Sequence, residues 1–145
     1  MDKKVLSSLQ RQCARREYCS EDIRQKALKA LDGDAQAASE MLEALLADGY
    51  VSDLRHASAY AREKAAIGGW GPIKIRYALR AKKISSETIN EALQEIDCSA
   101  ADARLERLIQ AKKKSLEGDP QMKLKLIKFA LSRGYEYDKV ASLLD

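Results

Sequence analysis

Apolar residues in this chain recur every three or four positions from one end to the other, and no stretch alternates long enough to make a strand. Such spacing writes one apolar stripe along each of a series of short helices. The first stripe, Val5, Leu6, Leu9 and Cys13, predicts a helix over residues 5–17. Ser20 reads as an N-cap, because its hydroxyl can accept from an amide that a first helical turn leaves unpaired, and Glu21 and Asp22 suit the positive end of the helix dipole. Ile23, Ala27, Leu28 and Leu31 then mark a second helix, and Ala38, Met41, Leu42, Leu45 and Leu46 a third that starts near Asp34 and ends at Gly49. Ser52 caps a fourth, with Leu54, Ala57, Tyr60, Ala61 and Ala65 inward. Gly68, Gly69 and Gly71 break it, and Pro72 opens a fifth at the position where a missing N–H costs nothing. Ile75, Ala78, Leu79 and the stem of Lys82 face inward there. Ser85 or Ser86 starts a sixth with Ile89, Ala92, Leu93 and Ile96, and residues 101–116 form a seventh with Leu105, Leu108, Ile109 and Lys112. Asp119-Pro120 is read as the cap and first residue of an eighth, burying Leu124, Ile127, Ala130 and Leu131, and residues 137–144 make the ninth.

Helices in such a series invite a search for a repeat. Ile75-Arg76-Tyr77-Ala78-Leu79 overlays Ile127-Lys128-Phe129-Ala130-Leu131, and Ile89 and Leu93 overlay Val140 and Leu144, a period of about 51 residues. The first third fits more loosely, through Ala27-Leu28. The fold class expected is all-α: a tandem repeat of three three-helix modules, residues 1–51, 52–97 and 98–145, in an elongated, curved array. The competing reading is one compact helical bundle with accidental similarity.

Composition excludes several function classes. Hydrophobic residues at 46% and charged residues at 33% fit neither a disordered tail nor a membrane span. The N-terminal segment has no signal-peptide core, so a cytoplasmic protein is expected. Cys13, Cys19 and Cys98 have no C-x-x-C spacing, which points to buried free thiols rather than a disulfide framework or a zinc site. His56 is the sole histidine and lies within a helix, as a surface or packing residue. No carboxylate pair stands apart for acid–base work, so no catalytic residue, metal or cofactor is expected. Gly68, Gly69 and Gly71 do not match a P-loop, and Pro72 removes an amide that could have met phosphate; a helix-to-helix turn needing positive φ explains them. Trp70 either packs at a join between modules, the preferred reading, or stands out as a partner anchor.

The cations carry the functional signal. Arg76, Arg80 and Lys83 follow i, i+4, i+7 on the fifth helix, flanked by Lys74 and Lys82. Lys123, Lys125, Lys128 and Arg133 form a comparable set on the eighth, Arg11, Arg15 and Arg16 end the first, Arg24, Lys26 and Lys29 follow on the second, and Lys112, Lys113 and Lys114 lie on the seventh. Repetition along an array would make a basic strip suited to a polyanion or to an acidic groove on a protein polymer. With one Phe and one Trp among few aromatics, a base-stacking platform has little support.

The segment LADGYVSDLRHASAYAREK resembles the most recognisable stretch of the RecX family of recombination regulators, through Gly49, Tyr50, Val51, Asp53, Arg55, Ala57, Tyr60, Ala61 and Lys64. Gly71, Ile75, Arg76, Leu79, Lys82 and Ile84 resemble the family's next element, and Arg16, Ser20, Lys26 and Leu28 its first. SRGYEYDKVASLL follows the same turn-and-helix logic. Lys83 stands where the family usually has Gly, so that turn is expected to be strained or differently capped. The resemblance implies tandem three-helix repeats and a non-enzymatic role in recombination, DNA repair and the SOS response. Members bind the RecA recombinase, especially its filament on single-stranded DNA, lie in the helical groove, and reduce filament extension, ATP hydrolysis and strand exchange. Transferred to this chain, Arg76, Arg80 and Lys82 are the first candidate contacts, then Arg15, Arg16, Lys125 and Lys128. Asp53 and Arg55 are expected to organise a junction rather than touch a partner. A monomer with no small-molecule substrate and no membrane partner is expected; the alternative is a helical DNA-binding protein acting independently of RecA.

Overall fold

The computed structural model describes residues 1–96 and 98–144, with the side chains of Cys98 and Ser99 left out. Among the described residues there are nine helices and no strand. They are α1 (Lys3–Arg15), α2 (Ser20–Ala30), α3 (Ala35–Ala47), α4 (Asp53–Ala66), α5 (Pro72–Ala81), α6 (Ser86–Gln94), α7 (Cys98–Ser115), α8 (Met122–Ser132) and α9 (Tyr137–Leu144).

Four helix starts follow from a side chain that receives first-turn amides. Asp2 accepts from the Lys4 and Val5 amides at 3.0 and 3.1 Å, Asp34 from Ala37 at 3.1 Å, Ser52 from Arg55 at 3.2 Å and Ser85 from Thr88 at 3.2 Å. The α7 start lies at Cys98, earlier than the expected residue 101, and at two other starts the expected cap is not the one used. Cys19, not Ser20, occupies the N-cap of α2. At Asp119-Pro120 the carboxylate accepts from the Gln121 amide at 2.8 Å and closes a separate turn, so α8 begins only at Met122.

The helix ends share a device. Tyr50 N–H reaches Leu45 O at 2.9 Å, Ile84 N–H reaches Leu79 O at 3.4 Å and Tyr135 N–H reaches Ala130 O at 3.3 Å. Each bond spans a residue with positive φ: Gly49 at 78°, Lys83 at 61° and Gly134 at 92°. Lys83 therefore does adopt the left-handed conformation that its departure from Gly made suspect.

The chain divides into two compact units, Met1–Ala59 with Leu79–Ala92 and Tyr60–Ala78 with Leu93–Asp145. Helices α4, α5 and α6 each contribute to both. In the first unit, Leu9, Cys13, Ile23, Ala27, Ala38, Met41, Leu45 and Val51 make the core of α1–α3. In the second, Leu105, Ile109, Leu126, Ala130, Tyr135 and Val140 make that of α7–α9. Ala57, Ala61, Ala65, Ile75, Leu79, Ile89 and Ala92 are buried in the middle helices. Cys13 and Cys19 are free and buried, as expected; the Cys98 side chain lies outside the described residues, as does the module boundary expected at residue 97. On α8 the inward stripe is Leu126 and Ala130, while Leu124 and Leu131, expected inside, are 49% and 42% exposed. The run MKLKLIKFALS offers overlapping apolar stripes, and packing selected the one that leads with Leu126. Leu46, expected inside α3, is also exposed.

Because Lys83 bears a Cβ in a conformation that disfavours one, Lys83→Gly is expected to raise unfolding free energy by about 1 kcal/mol in urea denaturation. The Lys83–Glu21 ion pair it forfeits, 3.5 Å long with the lysine largely exposed, offsets little of this.

Candidate functional site

The glycine-rich stretch before α5 is a docking seam within the second unit. Gly71 N–H donates to Arg133 O at 2.6 Å and Ile73 N–H to Gly134 O at 3.0 Å. The Tyr135 hydroxyl donates to Gly69 O at 3.0 Å, and Arg133 Nη1 to Gly68 O at 3.3 Å. Burial pushes the Tyr135 phenol above its ordinary pKa, so it stays protonated as the donor this bond requires; Arg104 and Arg133 oppose that shift in part. A Cβ on Gly71 would meet Gly134 O and lie 2.6 Å from Gly134 C and 2.8 Å from Tyr135 N. A Cβ on Gly134 would lie 2.6 Å from Lys74 N. Only Gly69 of the three glycines before Pro72 has positive φ, at 68°. Gly71 is thus explained by the close approach of two backbones rather than by a left-handed turn, and its amide serves a carbonyl instead of a phosphate.

This seam positions a set of cations on aromatic rings. Trp70 is half-buried, with Lys74 Nζ 4.5 Å and Lys64 Nζ 5.0 Å from its ring and Tyr60 edge-on at 6.3 Å. In the same unit Lys112 Nζ and Arg133 Cζ lie 5.4 and 5.2 Å from the Phe129 ring. In the first unit Arg16 Cζ and Lys26 Nζ lie 4.8 and 5.1 Å from the Tyr18 ring. Each ring holds two cations at about 0.5–1 kcal/mol apiece, fixing long side chains that would otherwise sweep through solvent. Sequence reasoning missed these triplets, because it sorted the cations by helix face and not by ring; Lys112, for one, lies 17 residues from Phe129.

The seven candidate contacts fall into two classes. Arg15, Arg16, Arg80 and Lys128 are exposed. Lys82 is half-buried with its Nζ 3.8 Å from Asp22, Arg76 is half-buried, and Lys125, though exposed, is held by Asp119 at 2.5 Å. Arg15, Arg16, Arg80 and Lys82 belong to the first unit; Arg76, Lys125 and Lys128 belong to the second. The helical period of α5 also leaves Ile73 51% and Tyr77 78% exposed. With Arg80 they follow i, i+4, i+7, an apolar-and-basic stripe that a search for cations alone passes over.

Asp53 and Arg55 do structural work in the first unit. Asp53 accepts from the Ser20 amide at 2.7 Å, and Arg55 donates to Glu17 at 2.9 Å and to Gly49 O at 2.6 Å. They tie the start of α4 to the α1–α2 turn. Inside this tie His56 is buried at 4% exposure, with Nδ1 3.2 Å from Glu17 O. Cys19, Asp22 and His56 have ligand atoms within 4.8 Å of one another. Burial is the main cause that pushes the Cys19 thiol up to about 11; the neighbouring Asp22 amide works the other way, while the Asp22 carboxylate adds to the rise. The expected inward stripe of α4 runs through Leu54 and Ala57 on either side of His56, which is why a period count left His56 as a surface or packing residue. No described helix is long and apolar enough to cross a membrane.

A sequence model of the family described as "RecX, second three-helix domain" matches residues 52–93. The chain is 33% identical over 109 residues to "Regulatory protein RecX" of Bacillus mycoides (strain KBAB4), covering 74% of this chain and 40% of that protein. The match to "Regulatory protein RecX" of Bacillus cereus (strain AH187) is 32% over 109 residues, with the same coverage of both. The chain belongs to the RecX family. It spans about 40% of the length of these curated RecX relatives. Among solved structures, it superposes on "Crystal structure of regulatory protein RecX" with a TM-score of 0.87 and 21% identity over 98% of this chain and 70% of that one. On "Crystal structure of RecX from Lactobacillus salivarius" the TM-score is 0.84 and the identity 19%, over 97% of this chain and 92% of that one. These likenesses establish the all-helical RecX fold.

The seam sets a direct test. Gly71→Ala forces a methyl into a neighbouring backbone and is expected to cost about 3 kcal/mol in chemical denaturation. Gly33→Ala, at φ 84° with nothing within 4 Å of the added carbon, should cost about 1 kcal/mol. Equal losses would mean that Gly71 answers to backbone freedom alone.

Proposed function

We propose that this RecX-family chain is a non-enzymatic regulator of the RecA recombinase, binding its filament on single-stranded DNA and hindering extension, ATP hydrolysis and strand exchange. The observation that carries the reading is that exposed cations occur in both units of a chain whose relatives bear the name of a regulatory protein. Arg15, Arg16, Arg80 and Lys128 supply the outer charge, while Arg76, Lys82 and Lys125 follow from positions their own chain already holds. Three modules over residues 1–51, 52–97 and 98–145 would present this charge repeatedly, and the matched family segment at residues 52–93 lies within the second.

A solvent-exposed ion pair contributes about 0–1 kcal/mol, so no single contact could hold such a complex. Linked weak contacts can, since each engaged module raises the local concentration of the next. Carboxylates on RecA and DNA phosphate both suit the cations, and the complex should weaken with salt. The work of the complex is then occlusion: a chain seated against successive protomers blocks the movements that extension and ATP turnover need. The role belongs to recombination and DNA repair within the SOS response, in the cytoplasm, performed by a monomer.

RecA ATPase on single-stranded DNA tests this. Added wild-type protein is expected to depress turnover, and Arg76→Glu/Arg80→Glu to require at least about tenfold more protein for the same effect. Unchanged ATPase at saturating wild-type protein would overturn the reading, and steep salt-dependent binding to naked DNA in that case would assign the cations to nucleic acid alone.

A further inference from the structure

Three chemically different side chains converge in the first unit at a point the regulatory reading does not use. Cys19 is the N-cap residue of α2, and Asp22, the third residue of that helix, has a carboxylate oxygen within 4.8 Å of the Cys19 sulfur. His56 comes from α4. The Cys19 sulfur, an Asp22 oxygen and a His56 nitrogen all lie within 4.8 Å of one another, with Cys19 wholly buried and His56 nearly so. The Glu17 carbonyl oxygen 3.2 Å from His56 Nδ1 can only accept, so Nδ1 carries the proton and the lone pair sits on Nε2. Metal-binding histidines are commonly oriented by such a backbone carbonyl. The framework is also fixed: Asp53 bonds the Ser20 amide and Arg55 bonds Glu17, holding the start of α4 against the turn that carries Cys19.

We propose that Cys19, Asp22 and His56 form a binding site for a zinc-class transition-metal ion. A thiolate, an imidazole and a carboxylate together select a borderline-soft ion over magnesium or calcium, which take oxygen ligands. The thiolate and carboxylate neutralise a divalent charge in a buried setting. On binding, a sulfur–metal bond forms, the S–H bond breaks, and the proton leaves to solvent. Zinc–ligand bonds of about 2.0–2.3 Å bring ligand atoms closer together than 4.8 Å, so the site must contract. Asp22, with 36% of its side chain exposed, is the ligand able to move, and its open side admits a water as fourth ligand. Lys82 Nζ, 3.8 Å from Asp22, competes with the ion for that carboxylate. Sequence spacing did not reveal the set because His56 is distant in the chain from the other two.

Cobalt(II) is the probe, titrated into the reduced full chain and followed by absorption. One ion per chain should bind, with thiolate-to-cobalt charge transfer in the near ultraviolet and the strong visible bands of four-coordination. Cys19→Ser should abolish the charge-transfer band, Cys13→Ser should leave it, and Asp22→Asn or His56→Gln should weaken binding at least about tenfold. Lys82→Met should tighten binding several-fold by removing the competitor. Should His56→Gln fail to fold by circular dichroism, Asp22→Asn decides, since its side chain is partly exposed. Absence of the charge-transfer band in wild type, its survival in Cys19→Ser, or wild-type affinity in Asp22→Asn would each overturn the site.

Discussion

Two backbones touching at Gly71 and Gly134 fix the second unit. Their contact leaves no room for a Cβ on either residue and brings two carbonyls within reach of the Gly71 and Ile73 amides. Everything of functional interest nearby is hung from it. Trp70 is held in place between Lys64 and Lys74, Arg133 is aimed at Gly68 O, and Tyr135 is buried with its hydroxyl satisfied by Gly69 O. The first unit achieves the same end by polar means, with Asp53 and Arg55 fastening the start of α4 to Ser20, Glu17 and Gly49. Backbone hydrogen bonds and charge-assisted ones each hold a helix start against a neighbouring turn, and an amide or carbonyl left unmade in either place would cost about 1–3 kcal/mol.

The cations divide according to what restrains them. Those on Tyr18, Trp70 and Phe129 are ordered by rings, those beside Asp22, Glu21 and Asp119 by carboxylates, and Arg15, Arg80 and Lys128 project from the surface. Arg24 illustrates the second kind: its two bonds to Glu21, with help from Gln25, draw that carboxyl down to about 2. In that pair much of the arginine's charge is balanced within its own helix. A net charge of +4 therefore understates the surface, because the acidic residues are partly consumed in holding their own neighbours.

Much of this was legible in the sequence, because helical period and capping chemistry are local. The serine starts at Ser52 and Ser85, Pro72 at the first position of α5, the range of α9 and the strain at Lys83 all come from residues a turn apart. What was not legible depends on distant partners. Nothing near Gly71 announces that it faces Gly134, and nothing near His56 announces Cys19 and Asp22. Leu124 and Leu131 were misplaced because α8 is apolar on more than one face and only α7 and α9 decide which face is covered. Pro72 and Pro120 carry the same local signal, yet Asp119 spends its carboxylate on the Gln121 amide and delays α8.

The central claim is that cations from both units share the binding of one nucleoprotein filament. Affinity for RecA filaments on single-stranded DNA, compared among wild type, Arg15→Glu/Arg16→Glu in the first unit, Lys125→Glu/Lys128→Glu in the second, and all four changes together, measures it most directly. The account predicts a loss of about tenfold or more from each pair and a product of the two losses when they are combined. A full loss from one pair with none from the other would contradict it.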